Sequence, residues 1–179
     1  MFKINFRIVD DLEKLKSMKH SSFDSDYNHI SGFIEIRFGE HNEGCYYHEN
    51  PLQEGEIGGE LLDWWLNFII DVVNSLEKKS YVAFLEPETN NRWLEFSLDT
   101  DHVMINVAID EEQKNNNVFI TEPFSGFSYV EPVDFYVNFY QFKNEITNTV
   151  NRFITELGNT NPELLKTKMA LEFIDKLRG

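Results

Sequence analysis

From Glu60 to Glu77 the chain reads ELLDWWLNFIIDVVNSLE, and before its last few residues only Glu60, Asp63, Asn67, Asp71 and Asn74 interrupt the apolar run. Those five recur at steps of three and four, so a helical period gathers them on one narrow stripe and leaves the rest of the girth apolar. A helix of that kind has to be surrounded by other elements. The spacing therefore predicts a central helix over 60–77 with Leu61, Trp65, Ile69, Val72, Val73 and Leu76 buried. Trp64 and Trp65 point about 100° apart on a helix. Both are expected to pack, one against a sheet and the other against a neighbouring helix.

Strands supply the surrounding layer. Phe2, Ile4, Phe6 and Ile8 alternate with polar residues, as do Ile34, Ile36 and Phe38. Leu94, Phe96 and Leu98 alternate with Trp93, Glu95 and Ser97, and Val103, Ile105, Val107 and Ile109 with Met104, Asn106 and Ala108. Period two marks strands, and the short connections between them mark antiparallel pairing. Residues 80–85 and 118–122 complete a meander. Residues 10–20 read as a short helix and 20–30 as a loop. The turn cluster 39–44 is expected to lead into a second hairpin arm over 45–48, and 123–134 reads as a loop. Asn138 with Gln141 resembles a capping box for a helix ended by Gly158, and Asn161-Pro162 opens a last helix. The fold class is α+β, one domain over 1–179. We expect a meander-like antiparallel sheet of about six or seven strands, a central apolar helix and two C-terminal helices.

The formal charge is −15 over 179 residues, and it is unevenly placed. Residues 1–60 hold 12 acids against 6 bases, 61–135 hold 14 against 4, and 136–179 hold 5 against 6. Such a field repels nucleic acid and anionic membrane surfaces and attracts basic partners. It also serves plain solubility. The N-terminal MFKINFRIVDDLEK lacks the apolar stretch of a signal peptide. Cys45 is the single cysteine, which excludes an internal disulfide and points to a reducing, cytoplasmic setting.

Little in the sequence assembles catalysis. His41 and His48 flank Cys45, but a zinc site needs three or four ligands, and strand neighbours three apart face opposite sides. Neither a metal nor a thiol dyad is expected there. There is no nucleophile elbow, phosphate loop or dinucleotide fingerprint, so neither cofactor nor catalytic residue is assigned. The acidic loops carry more information. Alternate connections of a meander lie at the same end of the sheet, which gathers Glu86, Glu88, Asp110, Glu111 and Glu112 into an acidic edge. Trp93, out of phase with the apolar face, is a candidate anchor beside it. These six are the expected partner-binding residues, and the expected partner is a basic protein.

The segments FIEIRFG, YYHENP, ELLDWWLNFI and NRWLEFSLD, within residues 32–98, resemble a group of small proteins of Gram-positive bacteria. Several such groups are similar to immunity proteins of polymorphic toxin systems. The resemblance implies a cytosolic protein that neutralises a toxin domain by binding it, and it implies no catalytic residues. A structural or regulatory interaction module and an enzyme of another type are the competing readings.

Overall fold

The computed structural model describes residues 1–44, 47–129 and 135–178. Strand β1 (Phe2–Ile8) pairs along its whole length with β2 (Ser31–Phe38). Between them come helix α1 (Leu12–Ser17), the single turn α2 (His20–Ser22) and a π-helical turn, Phe23–Tyr27. The 20–30 stretch is therefore more ordered than its polar composition suggests. Phe23 is the reason, because it is buried against the core and ties the turn down.

The other edge of β2 is shared by two short strands. β3 (His41–Glu43) pairs with its end and β4 (Glu60–Leu61) with its start. The hairpin thus returns at His41, earlier than expected; Cys45 and Tyr46 lie outside the described residues, so the expectations placed on Cys45 do too. The approach to β4 depends on missing side chains. A Cβ at Gly58 would lie 2.4 Å from the Gly32 nitrogen, and one at Gly32 would lie 2.2 Å from the Arg7 carbonyl oxygen. Only glycine permits that crossing of backbones.

Helix α3 (Leu62–Leu76) follows β4 directly. A second sheet comes after it, in the order β8 (Phe119–Ile120), β5 (Tyr81–Leu85), β6 (Arg92–Asp99), β7 (His102–Ile109), β9 (Phe135–Asn138). All strand pairs in both sheets are antiparallel. The strands are thus divided between sheets of four and five rather than gathered into one of six or seven. The physical reason is α3 itself. Its apolar girth needs partners on several sides, and it packs on β2 of the first sheet, on β5 and β6 of the second, and on two later helices.

Those helices are α4 (Phe139–Thr160) and α5 (Lys168–Arg178), joined by a 3-10 turn, Pro162–Lys166. Asn138 caps α4 by accepting from Tyr140 N–H, and Gly158 lies inside its last turn rather than ending it. Asn161 accepts from Glu163 N–H and donates to the carbonyls of Leu15 and Met18, fastening the C-terminal helices to α1.

One core joins both sheets with α3, α4 and α5. Trp65 is fully buried and meets Phe84 edge-on with centroids 6.1 Å apart. Phe142 of α4 bridges the sheets, 4.8 Å from Phe2 and 5.7 Å from Phe96. Each such side chain contributes about 1.5–3 kcal/mol by leaving water. Ile69, Val72, Val73 and Leu76 are buried as expected, whereas Leu61 is half-buried because it belongs to the edge strand β4. The polar stripe of α3 is only partly open to water, because its side chains are bonded within the chain. Asp63 accepts from Ile30 N–H, and Asn67 and Asp71 receive the Lys176 ammonium of α5 at 2.6 and 2.7 Å.

Candidate functional site

Strand register explains how acids come to lie inside. Glu43 is paired with Ile36 and Glu60 with Gly32, so both project to the same face of the first sheet as Ile34 and Ile36. In the second sheet, Arg92 shares the inward phase of Leu94 and Phe96, and Glu86, one residue past β5, continues the inward phase of Val82 and Phe84. Four charged groups therefore meet where the sheets close beside the start of α3.

Arg92 joins the two sheets. Its Nε and Nη2 donate to both carboxylate oxygens of Glu43, at 2.9 and 2.6 Å. The same Nε lies 2.9 Å from Glu86 Oε2, an ion pair without the alignment of a hydrogen bond. Glu60 accepts from the Trp65 indole N–H at 2.6 Å. Glu43, Glu60 and Glu86 are all buried. One guanidinium shared between two carboxylates cannot offset burial for both. Burial, and then the charge of Glu43, push the Glu86 carboxyl up to about 7, against the pull of Arg92. Burial also raises Glu60.

The opposite face of the second sheet holds another buried acid. Glu95 accepts from Tyr81 Oη at 2.8 Å and from Tyr129 Oη at 3.1 and 3.0 Å. Burial and the Glu95 carboxylate raise both phenols, Tyr129 to about 12. Trp93 lies on this face too. It is 1% exposed and packs 5.3 Å from Phe127 with Tyr81, Ala83 and Ala108 around it. Its odd phase is thus explained by a second, smaller core beneath residues 124–129. Being covered by its own chain, it is not presented as an anchor.

The acidic edge is real in outline and thinner in content. The two loops do lie together: Asp110 N–H donates to the Asn91 carbonyl at 2.8 Å. But Asp110 is 2% exposed, and its carboxylate accepts from Asn115 N–H to close its own loop. Glu86 belongs to the ionic seam. That leaves Glu88, Glu111 and Glu112 exposed, with Glu111 accepting from the Ser128 hydroxyl at 3.2 Å and Glu112 paired with Lys114 at 2.6 Å. Glu88 sits at φ +63 in a turn closed by Thr89 N–H to the Glu86 carbonyl. Pro87 followed by a left-handed residue is the pattern of a type II turn, a position that glycine usually fills.

Sequence reasoning missed the surface beside this turn. Trp64, expected in the core, is 46% exposed. It borders a cleft of about 320 Å³ between α3 and the β5–β6 turn. The signal was available in part: in ELLDWWL the central stripe already carries Asp63, and Trp64 stands next to that stripe. His48 pairs with Glu56 at 2.6 Å and His41 stacks on Phe38. Among the described residues no group of three His, Cys, Asp or Glu side chains is placed to hold a metal ion, and no helix is long and apolar enough to cross a membrane. Compared with known proteins, the chain matches no family model, no curated protein and no solved structure.

Proposed function

We propose that this chain is a binding protein rather than an enzyme, and that it captures a basic protein through its acidic loop edge. The observation that carries the reading is the adjacency of two loops, joined by the Asp110–Asn91 hydrogen bond, with Glu88, Glu111 and Glu112 exposed on them. The formal charge of −15 supports it, because a field of that sign speeds encounter with a basic surface and repels nucleic acid. Residues 32–98 resemble a group of small Gram-positive bacterial proteins, and the similarity of several such groups to immunity proteins makes a basic toxin domain the partner of choice, met in the cytoplasm.

The test is co-expression with a toxin domain encoded beside this chain, followed by association kinetics on the purified pair. The reading predicts a complex whose association slows as salt rises. It also predicts that Glu111→Lys with Glu112→Lys slows association more at low salt than at high salt. A complex whose formation ignores both would count against it, as would the absence of any complex.

A further inference from the structure

The cleft beside Trp64 has features that the loop edge lacks. Its walls are mostly apolar, built from Trp64 and Phe68 of α3, Leu85 at the end of β5, Pro87 of the β5–β6 turn and Val118 before β8, with Asn67 and Thr89 among them. Two acids line it, Glu86, whose carboxylate is buried against Arg92, and Glu88, which is exposed at the mouth. At about 320 Å³ it lies at the small end of ligand pockets, about 300–1,000 Å³, and so suits a side chain or two better than a large cofactor. Trp64 and Val118 are 46% and 53% exposed, the largest apolar exposures on its rim. A second hollow of about 220 Å³ adjoins the other side of Trp64 and Asn67, and its charged lining, Asp63 and Glu172, is again acidic.

We propose that this cleft seats an arginine or lysine side chain of a basic partner protein, carried between apolar neighbours that cover Trp64 and Val118. The inference rests on the reading that the chain binds a basic protein, and it names the element of that partner which docks. A cation meets the electron-rich face of an indole favourably, and a long aliphatic stem packs on apolar walls while its charged end reaches a carboxylate. Glu88 supplies that carboxylate from the mouth. The chain already holds one of its own lysines in a similar manner on the same helix: the Lys176 ammonium rests between Asn67, Asp71 and Glu172. An anionic ligand would meet the exposed Glu88 carboxylate at the mouth, which disfavours phosphate and acidic peptide as occupants.

The probe is the peptide acetyl-Leu-Arg-Leu-amide, titrated into the labelled full chain while indole and backbone N–H resonances are followed. Citrulline in place of arginine is the neutral control. The arginine peptide is expected to shift the Trp64 indole signal and the amides of Leu85 and Val118, leaving the buried Trp65 and Trp93 indoles in place. Citrulline should weaken binding by about tenfold, as should Glu88→Lys, and Trp64→Ala should abolish the amide shifts. Equal binding of arginine and citrulline peptides, or shifts that survive Trp64→Ala in a folded variant, would overturn the proposal, as would no shift at all. A basic toxin domain that associates in a salt-dependent way but ignores Trp64→Ala would sink the cleft while leaving the broader reading intact.

Discussion

Glu86, just past the end of β5, and Glu95, on β6, are buried acids of one sheet, and the fold treats them in opposite ways. Glu95, on the outer face, receives three hydroxyl contacts from two neutral tyrosines. Glu86, on the inner face, shares a single guanidinium with Glu43, and the bidentate hydrogen bonds go to Glu43. Neutral donors meet a carboxylate without adding another charge to bury. A shared cation links two sheets, but it leaves the less well-bonded acid to find relief in a proton. The same chain therefore contains acids used as mortar and acids left in water, and only the second kind is free to act on a partner.

Removing the shared cation should break the comparison hardest. Arg92→Leu strands Glu43 and Glu86 together in the core, and loss of one partner from a buried ionic group costs about 3–5 kcal/mol. Chemical denaturation at pH 8 measures it. The loss should shrink toward pH 5, where Glu86 can hold a proton. If Arg92→Leu is as stable as the parent, the seam contributes nothing to joining the sheets.

Glu86→Gln isolates the proton. In the folded chain Glu86 titrates near 7, against an ordinary value of 4.5, so between those values the folded state keeps a proton that the unfolded chain has released. Stability from this group is therefore present at low pH, declines as pH rises from about 4.5 to 7, and is flat above. At ~1.4 kcal/mol per pH unit the span is on the order of 3 kcal/mol. Glu86→Gln should remove that slope and stabilise the protein at pH 8 relative to pH 5. An unchanged difference in stability between parent and variant across that range would contradict the burial argument.

On the outer face the effects should be smaller. Tyr129→Phe removes two of three contacts to Glu95 while Tyr81 remains, and a loss of about 1 kcal/mol is expected by thermal or chemical unfolding. A loss as large as that of Arg92→Leu would mean that the two faces do not differ in kind. The loop acids should matter least to stability. Glu111→Lys with Glu112→Lys should change it by no more than about 0.5 kcal/mol, since exposed charges contribute little.

These contrasts also mark what the sequence could reveal. The strands and α3 announce themselves because period two and period 3.6 are local properties of the chain. The split into two sheets is not local: it follows from α3 needing partners on several sides. β9 was missed because Phe135–Asn138 is short and runs directly into the cap of α4. The acidic loops were placed correctly beside one another by counting connections. Which acids stay in water was not legible, because burial of Glu86 depends on Glu43, far away in sequence, and burial of Asp110 depends on how its loop closes. Trp93 and Trp64 exchanged roles for a similar reason. Residues 124–129 cover the first, and nothing in the described chain covers the second as fully.

The central claim is that the acids left in water, and not the buried ones, act on a basic partner. The measurement that tests it most directly is the association rate of the complex with a basic toxin domain, from about 0.02 to 0.5 M salt, for the parent and for Glu88→Lys with Glu111→Lys and Glu112→Lys. The account predicts a parent rate that falls steeply with salt and a reversed variant that is slower at low salt, with the two rates converging as salt rises. Parallel curves, or a parent rate indifferent to salt, would contradict it.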